Sequence, residues 1–345
     1  MGELPEYRHY GKLFSRDILV VDVLDKKILY VLSHNARFSI TFLAKVLRTK
    51  RETILYRLKR MKEQKLLQGY LTLIDHRRLG LKNYLLYLKL HLISSEEGFV
   101  EYLLTIPEIT RLKNCAGLYD FQLVVTAKNE EEFLTIFEKI LGKYHFLLHH
   151  YEILEIVEED FLGLGLLVPD NTNDHLNLRE HKGSSFSKEF REVRTIKKGL
   201  DEKDCAILNL LKLDARLPIS IISKKVNLAA VSVHTRIGRM VQSGVIKSFI
   251  PLISLQQLGY QWWKVFCTFT QGNKNTFITF CRQHHNILWY MRLLGKWQYQ
   301  FSIFAKDNAE FHAILDDFKT TFRTSILHYE AVIVFNQFKY VQRIR

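Results

Sequence analysis

The chain has 345 residues with 50 Lys and Arg against 36 Asp and Glu, a formal net charge of +14, a pI near 9.5, 47% hydrophobic residues and 25% charged ones. Such a length exceeds one ordinary core, and such a composition excludes a disordered or fibrous chain, so about two to four globular domains are expected. The positive excess favours a polyanionic partner, nucleic acid first, with acidic membrane surfaces and anionic metabolites behind it. Cys115, Cys205, Cys267 and Cys281 lie far apart with no C-x-x-C pair, so neither a disulfide framework nor a zinc site is indicated, and a reducing cytoplasm is expected. The opening MGELPEYRHYGKLF is charged where a signal peptide needs an apolar core, and FLGLGLLV from Phe161, the greasiest run, is far shorter than the roughly 18 apolar residues of a membrane span. No membrane partner is expected.

Residues 1–20 show no clear period and read as an N-terminal arm. From Asp22, placed as an N-cap, Leu24, Ile28, Leu29, Val31 and Leu32 recur at helical spacing. After Asn35-Ala36-Arg37, a second helix capped by Ser39 carries Ile40, Leu43, Ala44 and Leu47. A third opens at Thr49 or Lys50 and buries Ile54, Leu58 and Met61. Three short helices with a tight break before the third are the pattern of a helix-turn-helix. On the third helix Glu52, Thr53, Tyr56, Lys59, Arg60 and Glu63 point away from the apolar stripe, and Lys50 and Arg57 flank it. Between Lys50 and Lys65 seven basic residues, Arg51 and Lys62 among them, face two acids. A helix this basic, with Thr and Tyr interleaved, can neutralise phosphates and offer polar groups to base edges, whereas a merely solvated amphipathic helix is the bland alternative. Leu66, Leu67, Tyr70, Leu71 and Leu73, around Gly69, then read as the strand pair of a small wing beside His76, Arg77 and Arg78.

Next come a strand-like run from Tyr84, a helix over 96–105 stopped by Pro107, strands over 109–116 and 119–126 separated at Gly117, a helix over 130–141 and a last strand over 147–157. The order βαββαβ folds as an antiparallel four-stranded sheet with both helices on one face. Its open face needs a cover, and a second such sheet is the natural one.

That second sheet is in the chain. Sliding the sequence by 179 lays Val21 over Leu200, Arg57 over Arg236, Met61 over Met240 and Gly80 over Gly259; beyond this a shift of 178 lays Gly117 over Gly295, Tyr119 over Trp297 and His150 over His328. Self-similarity over so long a unit is a duplicated pair of domains and not a solenoid. The resulting division is an arm at 1–20, a head at 21–80, a sheet domain at 81–160, a polar linker at 161–199, a second head at 200–259 and a second sheet domain at 260–345. The second head's third helix holds Arg236 and Arg239 and no acid between Ala229 and Gly244. Ala229 is a poor cap, and Gly238 weakens the helix by about 1 kcal/mol relative to alanine. Either this helix contacts DNA more weakly, through Ser232, His234, Thr235, Arg236 and Arg239, or it has become a packing module.

No phosphate loop, H-E-x-x-H or G-x-S-x-G occurs, and GLGLG at Gly163 lacks a third glycine. His149-His150 cannot chelate one ion because strand neighbours point to opposite faces, and His284-His285 read as exposed imidazoles in a turn. No catalytic residue, metal site or cofactor is expected.

LDKKIL…NARFS, the ILYRLKRM helix, LLQGYL, RLGL and GLYDF at Gly117, matched in the second copy by DARLPI, RIGRM, GVIKSF, QLGY and GKWQY, give the chain a family likeness. It resembles the leucine-responsive and asparagine-operon (Lrp/AsnC) transcription regulators over nearly all of its length. The resemblance implies an α+β chain of two winged helix-turn-helix domains alternating with two ferredoxin-like, RAM-type βαββαβ domains, self-associating through those sheets and binding double-stranded DNA. It also implies a small effector, often an amino acid, near Gly117, Tyr119 and Asp120 and, in the second copy, Gly295, Trp297 and Gln298. Gln298 departs from the pattern, since a neutral amide cannot hold an ammonium group as the Asp120 carboxylate does. Sirohaem decarboxylases are similar in overall plan and form the rival reading, with little use for a basic third helix; a partner that only oligomerises is a third. The expectation is a non-enzymatic regulator whose two unlike heads prefer an asymmetric site.

Overall fold

The computed structural model describes residues 18–91, 97–168, 199–270 and 273–344, so the arm through residue 17 and residues 169–198 of the expected linker lie outside it. The first copy runs α1 (Val23–His34), α2 (Ile40–Val46), α3 (Arg51–Glu63), β1 (Leu67–Ile74), β2 (Lys82–Leu90), α4 (Glu97–Thr105), β3 (Ile109–Gly117), β4 (Phe121–Ala127), α5 (Glu130–Tyr144) and β5 (Leu148–Phe161). The second repeats it as α6 (Glu202–Leu211), α7 (Ile219–Val226), α8 (Ala230–Gln242), β6 (Ile246–Ile253), β7 (Gln261–Phe269), α9 (Lys274–Gln283), β8 (Ile287–Leu294), β9 (Tyr299–Ala305), α10 (Asn308–Thr321) and β10 (Ile326–Tyr340). Two compact units result, one built from Val20–Leu79 with Gly163–Ser254, the other from Gly80–Leu162 with Leu255–Arg343. No helix among the described residues is long and apolar enough to cross a membrane.

In the first unit each head starts with a capping box. The Asp25 amide donates to Asp22 Oδ1 at 2.9 Å and the Asp22 amide returns a bond to Asp25, a pattern repeated at Asp201 and Asp204. Ser39 caps α2 by accepting from the Phe42 amide at 3.0 Å. Ile28, Leu29, Val31 and Leu32 pack out of solvent with Ile54, Leu58 and Met61, as the helical spacing predicts.

The expected wing does not form within a copy. The chain already turns at Lys65, whose φ is 59°, so Gly69 starts no hairpin; it sits at a register shift in a single strand. That strand, β1, pairs antiparallel with β6 of the other copy, Leu71 opposite Ile250 and Tyr70 opposite Pro251. The heads clasp each other reciprocally around this ribbon. The Ala36 amide donates to Phe249 O at 2.7 Å and the Ala215 amide to Tyr70 O at 3.2 Å. Arg37 Nη1 donates to Ala215 O at 2.5 Å and Leu217 O at 3.2 Å, while Arg216 Nη1 donates to Ala36 O at 2.7 Å. Each guanidinium also lies over the other copy's ring, Arg37 over Phe249 and Arg216 over Tyr70. Burial, reinforced by Arg216, pulls the Arg37 pKa down to about 10. Residues 163–168, expected in the linker, pack here too: Leu164 and Leu167 are buried, and the Leu164 amide donates to Ser33 Oγ at 3.3 Å.

The second unit is a closed barrel in the order β10-β3-β4-β2-β5-β8-β9-β7. Each copy contributes four neighbouring strands, and the seams β5 with β8 and β10 with β3 join them. β5 and β10 are long enough to serve both sheets: Leu148–Glu155 pair with β2 and Glu155–Phe161 with β8. Both faces of the sheet are covered, so the central strands read as continuous apolar runs. In β2, Leu86 and Leu88 face α4 and α5 with Phe99, Phe133 and Phe137, whereas Leu85 and Tyr87 face the barrel interior with Phe266, Trp297 and Val332. Lys82 and Gln261 occupy equal places opposite Ala127 and Ala305, so the shift of 179 persists through β2 and β7 and the lost residue falls later. Gly117 and Gly295 have φ of 119° and 136°, and a Cβ there would meet Ala331 O at 3.3 Å and Leu154 Cδ2 at 2.5 Å, atoms of the strand across each seam.

Replacing Arg37 by Met keeps its apolar stem but strands two carbonyls; the expected loss is about 1–3 kcal/mol in denaturant unfolding. A change within experimental error would show that the clasp rests on the ribbon alone.

Candidate nucleic-acid interface

Helix α3 buries Ile54, Leu58 and Met61 and turns Arg51, Glu52, Leu55, Tyr56 and Lys59 outward. Tyr56 is 65% exposed and the Lys59 side chain 77%, its nearest acid being Glu63 at 3.8 Å. Lys50, the N-cap residue, is exposed, makes no capping bond, and extends the same cationic edge; Thr53 is half-buried.

Four expected contact residues are engaged elsewhere. Arg57 Nη1 binds Asp22 and, at 3.0 Å, Asp25, and Arg60 Nη2 binds the other Asp25 oxygen. The Asp25 carboxylate is completely buried, so these two arginines neutralise it and lash α3 to the first turn of α1. The hydrogen bond from Arg57 lowers the Asp22 pKa and in turn raises that of Arg57. Arg236 and Arg239 repeat the arrangement on Asp201 and Asp204. Sequence reasoning missed this because a helical wheel shows only that Arg57 and Arg60 avoid the apolar stripe. The available signal was the duplication, which preserves the acid pair and the base pair together at one shift.

On α8, Val231 is 78% exposed and Ser232, His234 and Thr235 lie beside it, Thr235 Oγ1 bonding back to Val231 O at 3.0 Å. Where the first head has Lys50, Arg51, Lys59 and Lys62, this one has Ala229, Ala230, Gly238 and Val241. With the arginine clamps set aside, the basic character of the two third helices belongs to α3.

The expected effector residues separate into buried and exposed. Tyr119 and Trp297 lie inside the barrel, where Trp297 Nε1 donates to Tyr119 Oη at 3.4 Å. Asp120 accepts from the Leu90 amide and from Lys89 Nζ, both at 2.8 Å, and so pins the turn to the end of β2. Gln298 does the same in the other copy, accepting from the Phe269 amide at 3.0 Å and donating to Phe269 O at 3.3 Å. The amide therefore replaces the carboxylate in an architectural task. Gly117, the adjoining Leu118 and Gly295 are exposed. Of the histidine pairs, His284 departs from the expected free imidazole, its Nε2 lying 2.6 Å from Asp317.

Comparison with known proteins bears on both units. The AsnC-type helix-turn-helix domain matches at residues 21–62 and again at 200–241. An uncharacterised helix-turn-helix-type transcriptional regulator of Pyrococcus abyssi is 39% identical over 72 residues, 21% of this chain and 46% of the relative. The regulator FL11 of Pyrococcus furiosus is 41% identical over 61 residues, 18% and 40% of the two chains. The chain thus spans less than half the length of these curated relatives. At the level of the fold, the crystal structure of the sirohaem decarboxylase NirDL superposes with a TM-score of 0.61 over 94% of each chain at 11% identity. The chain thus carries two AsnC-type helix-turn-helix domains, at residues 21–62 and 200–241.

Proposed function

We propose that the chain is a DNA-binding transcription regulator of the Lrp/AsnC type, built as an intramolecular pseudo-dimer and acting in the cytoplasm without enzymatic activity. The observation that carries this reading is the exposed face of α3, where Lys50, Arg51, Tyr56 and Lys59 stand clear of the core. Lysine and arginine on such a face neutralise phosphates, and Tyr56 with Leu55 offers apolar surface to thymine methyl groups. Val231, Ser232, His234 and Thr235 on α8 give the second head a nearly uncharged reading surface, so the preferred site has one strong and one weak half. Domains 21–80 and 200–259 read DNA, and domains 81–160 and 260–345 pair, oligomerise and take a small effector. An effector at the Gly117–Asp120 turn meets the exposed backbone of Gly117 and Leu118 and the Lys89–Asp120 pair, not the Tyr119 ring. The decarboxylase reading shares the fold, but the cationic face of α3 has no task in tetrapyrrole chemistry.

The test is binding of a short fluorescent mixed-sequence duplex to the full chain over a range of salt. Lys59→Ala is expected to weaken binding and to reduce the log–log salt slope by about one, with no change in unfolding. Arg60→Ala behaves differently: it leaves the buried Asp25 carboxylate short of a partner and lowers stability by about 1–3 kcal/mol. Arg239→Ala does the same in the second head. Unchanged affinity and salt slope in the pair Tyr56→Ala and Lys59→Ala, or a coloured tetrapyrrole copurifying with the chain, would sink the reading.

A further inference from the structure

Two lysines from different copies meet inside the barrel. Lys113 on β3 is 4% exposed and Lys264 on β7 is 1% exposed. Both ammonium groups lie against one ring: the Trp262 ring centroid is 4.3 Å from Lys113 Nζ and 5.5 Å from Lys264 Nζ. Lys264 Nζ donates to Gln122 Oε1. The other buried cations of the barrel are provided for. Arg111 holds Glu159 through both terminal nitrogens, and Lys339 Nζ donates to Leu104 O and Ile106 O at the end of α4. Glu159 is thus already engaged; Lys264 rests on the Gln122 amide oxygen and both lysines on the Trp262 ring, where burial calls for an anion. Beside them Gln122 Nε2 and Trp262 Nε1 are buried donors with no acceptor. Apart from Gln122 Oε1, the ends that meet between the two lysines are donors.

The fold does not require lysine at either place. Lys113 and Met291 sit opposite Gln122 and Gln300, and Lys264 and Leu85 opposite Ser302 and Val124, so the duplicate fills the same positions with apolar side chains. The remaining lining is apolar, with Tyr87, Phe266 and Val334, and the interior of an eight-stranded barrel is either filled by side chains or holds one small ligand. A carboxylate supplies two oxygens able to accept about four bonds, which matches two ammonium groups and two neutral N–H donors in a small volume.

We propose that Lys113 and Lys264, with Gln122 Nε2 and Trp262 Nε1, form an internal site for a small carboxylate anion. The site goes beyond DNA binding and does not depend on it. Burial first and then neighbouring charge push Lys113 far below the usual lysine range, and burial brings Lys264 down to about 7. Of the groups facing them, Arg111 is held charged by the Glu159 carboxylate beside it against the opposing effect of burial, and burial lifts Cys115 and Tyr340 to about 12, so both stay neutral. The folded chain therefore holds fewer protons than the unfolded one between about pH 7 and the ordinary lysine pKa of 10.5, and its stability without anion rises with pH across that window. An anion restores the missing protons, so it binds more tightly at pH 6 than at pH 9.

Thermal unfolding of the full chain in sodium acetate and in sodium chloride at equal ionic strength tests this. Acetate is expected to raise the midpoint by a few degrees more than chloride at pH 6, with the excess shrinking at pH 9. The Lys113→Met, Lys264→Leu double variant, carrying the residues its own duplicate uses, loses the acetate excess and the rise of stability with pH. Should that variant fail to fold, calorimetric titration of the parent with acetate in buffers of different ionisation enthalpy decides, through the expected proton uptake. Equal effects of the two salts, an undiminished acetate response in the double variant, or binding without proton uptake would overturn the site.

Discussion

A strand edge without a neighbour is what each copy of this chain would expose, and main-chain pairing with the other copy removes it. β1 ends a head with no partner of its own and lies against β6; β3 and β5 end the first sheet and lie against β10 and β8. Backbone N–H and C=O groups at such edges must be paired, or they invite association with other chains. The duplication closes both places within one molecule. The rest follows from these seams: the clasp of Arg37 and Arg216 over the ribbon, the glycines that let Gly117 and Gly295 pass a neighbouring backbone, and an enclosed barrel interior. The buried aromatic and aliphatic side chains fill a space that the pairing defines.

Within the heads, the capping carboxylates organise the third helix. Asp25 closes the first turn of α1 and also receives Arg57 and Arg60, so one buried group fixes where α1 begins and how α3 lies against it. A buried carboxylate is tolerated because two guanidinium groups and the capping amide surround it. That leaves the solvent face of α3 free for Tyr56 and Lys59. The second head keeps the whole apparatus and lacks the cationic face, which separates what the fold needs from what a polyanion would touch.

Much of this was legible in the chain, for local reasons. Asp22 and Ser39 announce helix starts, the stripe of Ile54, Leu58 and Met61 gives the third helix its buried side, and the nearly continuous apolar run along Tyr84–Leu90 gives a strand. What failed was non-local. An apolar run around Gly69 looks like a hairpin when its neighbour is unknown, yet its neighbour lies one repeat away in sequence. Arg57 and Arg60 look outward on a wheel because the wheel holds no Asp25. Nor does the chain show that Tyr119 and Trp297, in the turns between β3 and β4 and between β8 and β9, bury their rings in the barrel core. Lys113 reads as an ordinary residue of a mixed strand, and only the closure of the barrel brings it beside Lys264.

Covalent linkage of the halves releases them from symmetry. In a homodimer, whatever one protomer contributes at a seam its twin contributes as well, so a lysine at the place of Lys113 and another at the place of Lys264 would crowd four ammonium groups into one small interior. Here methionine and leucine hold the mirror positions, and the molecule tolerates a single lopsided concentration of charge that two identical chains could not bury. Gene fusion thereby opens a class of interiors closed to self-assembly, in which one half can acquire chemistry while the other stays inert hydrocarbon.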